Sequence, residues 1–388
     1  MKKYKWLIVL ILLLLPGCYL ALRFYIYIKP PSNSFPLTLK WRTDLGRSTY
    51  ERPASQDGLV LFPADSILSS YWYGLNATTG QLIWSQRVPS DSFLRCLSAE
   101  YLVVSGPDSL LALKPGTGEI IWEDEIGQTA TCSERKVFTI VPRKLVLALD
   151  LSTGQTRWAG TAPRESFIGL IYNPEMNELI ADGAVIVDPN SGRILRSFDE
   201  PSFLGYAPSD QGRGDMYLID QGQLFIGGSV RDAATGQVFH IEKRFSGFAA
   251  PTVSEDTIYI ADGSEDGYVE GVAALDRATY AVKWKYQPKH KLPGLSLITL
   301  SPVAIFDGIG YVIFDDATLR AFDLETGQEI GYWQPQGLDL LFWPGCTLPI
   351  PRLPNPFYCV HSSGVGMAAS EDTLFVSFGD GKLYAFGK

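Results

Sequence analysis

Histidine is nearly absent from this chain. There are three in 388 residues, and His240, His290 and His361 stand at no spacing used by metal sites. Methionine is almost as rare, at four, and the five cysteines include no adjacent pair. A nucleophile elbow, a glycine-rich phosphate loop and a zinc signature are all missing. These gaps predict a protein that is not an enzyme, with no catalytic residue and no cofactor. Only 19% of residues are charged, and 33 basic residues face 42 acidic ones, a net charge of −9. Five of the basic residues (Lys2, Lys3, Lys5, Arg23, Lys29) fall in a leader with no acidic residue, so the rest of the chain carries 28 − 42, or −14. That balance argues against nucleic acid as a partner and favours solubility.

Turn and strand material is plentiful: 46% of residues are hydrophobic, with 37 glycines and 25 prolines. Residues 147–158, LALDLSTGQTRW, read as a strand, a tight turn at Ser152-Thr153-Gly154 and a return strand ending in Trp158. The same grammar recurs at 75–84, at 111–122 and at 321–333, the last with two extra residues before its tryptophan. Weaker copies begin at Val185, Val230 and Ala274, and in the last of these Tyr280 replaces the turn glycine. The turn positions Gly80, Gly118, Gly154, Gly192, Gly236, Tyr280 and Gly327 are 38, 36, 38, 44, 44 and 47 residues apart. A period near 40 with four short strands per unit predicts an all-β chain folded as a β-propeller. The chain ends at the third strand of a further unit, while 37–44 carries Trp41 with no strand before it. Pairing these two ends would complete an eighth four-stranded blade and remove two open sheet edges. The expected layout is a leader at 1–28, a tether at 29–36 and an eight-bladed propeller at 37–388, with a proline-rich insertion at 334–364.

The A-L-D-x-x-T-G-x-x-x-W pattern resembles the repeat of the pyrroloquinoline-quinone (PQQ) propeller superfamily, from about residue 37 onward. The resemblance implies a packing role between blades for Trp84, Trp122, Trp158 and Trp284. The superfamily contains quinoprotein alcohol dehydrogenases and non-enzymatic BamB-like lipoproteins, so the repeat marks the fold and not the activity. In the dehydrogenases an adjacent cysteine pair, a tryptophan floor and calcium ligands hold the quinone; this chain lacks the cysteine pair, which disfavours PQQ.

Basic residues at 2–5 precede the apolar run 6–15 and Pro16-Gly17-Cys18, a secretory leader by charge and length. Residues 15–18 resemble a bacterial lipobox with Cys18 as the lipid attachment site. Equally, residues 6–28 give 23 largely apolar positions, enough to cross a bilayer as an uncleaved anchor. Both alternatives place the propeller outside the cytoplasm and against a membrane. The other cysteines fall into two pairs for disulfides, Cys96 with Cys132 in matching places of adjacent blades and Cys346 with Cys359 around a proline-rich loop.

Two local features are candidates for binding. Asp262, Ser264, Asp266 and Glu270 alternate around a glycine like the start of a calcium loop, or form an acidic hairpin. Residues 334–364 combine six prolines with Phe342, Trp343, Phe357 and Tyr358, either as a partner-contact element or as a plug over one mouth of the ring. The expected function is a monomeric, membrane-anchored scaffold that binds a protein partner at the cell envelope. The alternatives are a PQQ-dependent dehydrogenase and a small-ligand sensor using the propeller funnel.

Overall fold

The computed structural model describes residues 34–388 apart from 49–51, 66–69, 91, 107, 126–128, 142–144, 162–168, 182–184, 198–216, 227–228, 236, 242–250, 264–268, 289–300, 315–316, 336–364 and 379–380. Among the described residues there is no helix, and the strands form eight antiparallel sheets. In seven of them four strands follow one another or are completed across the chain ends, and the first sheet adds the two-residue strand Arg47–Ser48 beside Ala54–Gln56. The second sheet is typical, running Phe93–Leu97, Leu102–Ser105, Leu110–Leu113 and Ile120–Asp124. Its middle strands are wholly buried, because each packs against the neighbouring sheet on both faces, and its fourth strand alternates. First strands contact one another between the second and third, third and fourth, seventh and eighth, and eighth and first sheets, which places them toward a common hub.

The eighth sheet joins the two ends of the chain. Thr38–Asp44 pairs antiparallel with Lys382–Gly387, from Thr38 opposite Gly387 to Asp44 opposite Lys382. The strand expected to be missing at the C-terminus is therefore the one that carries Trp41. Phe35 extends the closure, with its ring 6.3 Å from Tyr311 and 6.1 Å from Phe386 in edge contacts, and Leu37 is buried beside it.

Tight turns between third and fourth strands explain the repeat residue by residue. Asp150 Oδ1 accepts hydrogen bonds from the Ser152 and Thr153 amides, at 3.0 Å each, and from both hydroxyls. Gly154 N then closes on Asp150 O at 2.8 Å with φ +70°, a conformation that costs an L-residue about 1–2 kcal/mol. Each such glycine also floors a tryptophan of the preceding sheet. A Cβ at Gly118 would lie 2.4 Å from Trp84, and at Gly154, Gly192, Gly327 and Gly80 it would lie 2.5–2.8 Å from Trp122, Trp158, Trp284 and Trp41. Every one of these indoles donates Nε1–H to a carbonyl in the same turn, at 2.7–3.1 Å, from Trp41 to Ala77 through Trp284 to Leu324. The small residue that opens the repeat sits across the strand from the ring: Gly74, Ala112, Ala148, Ala274 and Ala385 face Trp84, Trp122, Trp158, Trp284 and Trp41. Ring burial and one hydrogen bond make each docking worth on the order of 4 kcal/mol.

Gly118→Ala should therefore destabilise by about 2 kcal/mol or more, through the left-handed backbone and the clash with Trp84. Gly116→Ala in the same turn, where a Cβ meets nothing within 4 Å, should change stability by less than about 0.5 kcal/mol. Denaturant melts of the two variants check this; equal losses would contradict it.

Candidate interaction surface and sheet junctions

Four residues past the turn position stand Trp84, Trp122, Trp158 and Trp284, but also Arg196, His240 and Gly331. The register confirms the equivalence, with Ile186 opposite Arg196, Val230 opposite His240 and Ala321 opposite Gly331. At these three junctions different chemistry joins the sheets.

Arg196 substitutes directly for the indole. Its Nε donates to Ala234 O in the next turn at 2.8 Å, and its two terminal nitrogens grip both oxygens of Glu178 at 2.7 Å. Such a fork is planar and bidentate, so it fixes orientation as a ring does. The fifth junction works in reverse. Tyr280, at φ 58°, occupies the glycine site and receives a hydrogen bond from Gln223 Nε2 of the preceding sheet at 3.2 Å. Buried Arg277 supports it with Nη1 2.6 Å from Asp220 Oδ2, Nε donating to Gln223 Oε1 and Nη2 to Asp220 O.

Trp333 stands two residues beyond the docking position and docks on no glycine turn among the described residues. Its ring instead packs on Phe378, Tyr384 and Phe386 at 4.9–5.7 Å. One further polar cluster lies between the sixth and seventh sheets. The Tyr286 hydroxyl donates to Glu329, which also accepts from buried Arg320 Nη1 at 3.0 Å. Arg320 lies 5.3 Å from the Phe314 ring centroid and 5.9 Å from that of Tyr332. Burial, opposed by the Arg320 charge, drives the Tyr286 phenol well above the usual tyrosine range, so it stays a neutral donor.

Near the hub, Cys96 and Cys132 on the first strands of the second and third sheets form a disulfide, Cα–Cα 6.0 Å, as their matching positions suggested. Cys18, Cys346, Cys359, Phe342, Trp343, Phe357 and Tyr358 lie outside the described residues, as do Ser264 and Asp266. Glu270 belongs to the strand Val269–Asp276, with its side chain outside the described set. Asp262 is buried and engaged: both carboxylate oxygens accept from Lys285 Nζ, at 3.1 and 2.9 Å. Among the described residues no group of three His, Cys, Asp or Glu could hold a metal ion, and no helix is long and apolar enough to cross a membrane.

Because each sheet is an up-and-down meander, its turns sort onto two faces. The first-to-second and third-to-fourth strand turns share one face with the start of the strand Thr38–Asp44 and the end of the strand Lys382–Gly387. Strand ends flanking 264–268 and 336–364 belong to the opposite face. The sequence does carry a signal for the first arginine junction: Arg196 stands four residues on from Gly192, where four other copies have tryptophan.

This architecture defines the class: a propeller-like protein of PQQ-type repeats, with tryptophans docked between sheets. The chain belongs to the family described as outer membrane protein assembly factor BamB, whose model matches residues 38–168, 72–196 and 181–336. BamB from Moraxella catarrhalis superposes with a TM-score of 0.61 over 91% of this chain and 100% of its own, at 16% identity. A europium-containing methanol dehydrogenase gives 0.60 over 92% of this chain and 94% of its own, at 11% identity. At these identities the likeness is one of fold. Tetrathionate hydrolase of Acidithiobacillus ferrooxidans is 20% identical over 229 residues, 49% of this chain and 45% of the hydrolase, so the chain matches less than half of that relative.

Two expectations follow. His240→Trp should destabilise, because the Tyr280 Cβ occupies the space an indole needs, and adding Tyr280→Gly should recover the loss, a coupling of at least about 1 kcal/mol in a double-mutant cycle; additive effects would contradict the equivalence. The turn carboxylates supply the second. Hydroxyl hydrogen bonds from Ser191, Thr235 and Thr326 hold Asp188, Asp232 and Asp323 below their ordinary 3.8. A depressed folded-state value stabilises above pH 3.8 and is lost as pH falls through the folded value. Asp323→Asn should keep the turn yet lose less stability between neutral and acidic pH than the parent; identical pH profiles would contradict this.

Proposed function

We propose that the chain is a membrane-anchored, extracytoplasmic eight-bladed propeller that acts as a non-catalytic scaffold for a protein partner of the cell envelope. Membership of the BamB family supports it, as does the leader with its lipobox-like Cys18 or its 23-residue apolar run. One observation carries the scaffold reading. Three arginines at the sheet junctions, half-buried Arg196 and buried Arg277 and Arg320, are each engaged in holding a neighbouring sheet. Their chemistry goes into rigidity, and a rigid ring binds through surface complementarity with little ordering cost. The ring works as a monomer, since its own ends pair.

PQQ is not part of this proposal. The chain has no adjacent cysteine pair, and Cys96 is bridged to a cysteine of the next sheet. The partner contacts are assigned to Phe342, Trp343, Phe357 and Tyr358.

In-cell crosslinking and mass spectrometry of the captured membrane protein test the reading, beside a variant lacking 336–364. That deletion spares buried Gln334. A stoichiometric protein partner lost with the segment is the expected result. Capture of no protein by either form, or a saturable upward melting shift with PQQ and calcium, would overturn the scaffold.

A further inference from the structure

We infer that the outer rim of the eighth, first and second sheets rests on the membrane surface, so that the ring is held tilted on that rim; this rests on the anchored reading above. Leu39, Leu82, Ile83 and Ile120 are 42%, 54%, 52% and 37% exposed on the fourth strands of those three sheets. The docking contacts make them neighbours. Leu39 is two residues from Trp41, whose ring covers Gly80, two residues before Leu82. Ile83 adjoins Trp84, whose ring covers Gly118, two residues before Ile120. The arc stops at the third sheet, where the same positions are Thr156 and Arg157, the latter paired with Asp150.

Charge follows the same arc. The turn-cap position is Asn76 in the first sheet and Lys114 in the second, then Asp150, Asp188, Asp232, Asp276 and Asp323 around the rest. The outer strands of the arc also expose Arg42 and Arg87, in a chain that is strongly acidic beyond its leader. Glu119 and Asp372 face Lys114 at 2.6 Å and Lys40 at 4.0 Å, and Asp44 and Glu123 are also exposed at the far ends of the outer strands that carry Leu39 and Ile120. Exposed aliphatic residues flanked by arginine match a bilayer interface, which takes apolar side chains among anionic headgroups.

The anchor enters beside this arc. Phe35 is pinned against Tyr311 and Phe386, so the free leash is only residues 29–34, at most roughly 20 Å of chain. Leu39 follows four residues later. A second group of exposed residues, Ile194, Leu195, Phe239 and Val282, lies on the fourth to sixth sheets, whose caps are all aspartate and which are away from the chain entry. It serves as the control.

The test uses the full-length chain in vesicles of phosphatidylethanolamine and phosphatidylglycerol, with Ile83→p-benzoylphenylalanine or Leu195→p-benzoylphenylalanine irradiated and lipid adducts counted by mass spectrometry. Adducts at position 83 should exceed those at 195 by about tenfold. Equal yields, or crosslinks from position 83 only to protein, would overturn the rim contact. An alkaline carbonate wash reads the anchor separately. A chain that washes off would defeat anchoring and the rim contact together, whereas a retained chain without lipid adducts at 83 would defeat the rim contact alone.

Discussion

An indole laid on a glycine holds this molecule together. The turn between third and fourth strands needs a left-handed residue, glycine meets that need, and its bare Cα leaves a floor on which the preceding sheet's tryptophan can lie with its N–H satisfied. The aspartate or asparagine cap fixes the turn, the small residue opposite makes room for the ring, and the repeat spacing follows from these demands. Where the ring is missing, the glycine rule relaxes with it: Tyr280 occupies the turn, and the docking position of the preceding sheet is His240 in place of tryptophan.

Junctions without the pair are bridged by other means. Arg196 copies the indole's reach and adds a carboxylate clamp, Arg277 and Tyr280 reach backward, and Trp333 closes onto the aromatics of the sheet made from both chain ends. A ring built from nearest-neighbour contacts is as firm as its weakest junction, and these variants keep each junction tied by ring burial or by a hydrogen-bonded guanidinium. The result is a hub whose two faces are held fixed relative to one another.

Much of this was legible in the sequence. The strand-turn-strand copies gave the sheets because each local signal, turn chemistry, alternation and tryptophan, agreed with the others. The borrowed strand at Trp41 and the Cys96–Cys132 bridge were likewise visible from position alone. Arg196, Arg277 and Arg320 were not, since an arginine on a strand reads as solvent-facing until its partners are placed around it. The partner of Asp262 was hidden in the same way: Lys285, which holds both oxygens, is 23 residues away in sequence and across the sheet in space.

A closed ring tied at every junction is the condition on which the proposed scaffold depends, and hydrogen exchange of the full-length membrane-bound chain tests it most directly. Amides of 38–44 should exchange as slowly as those of the third strands, because Trp41 docking and pairing with Lys382–Gly387 tie them into the global unfolding unit. Rapid exchange of 38–44 while the other sheets stay protected would contradict closure.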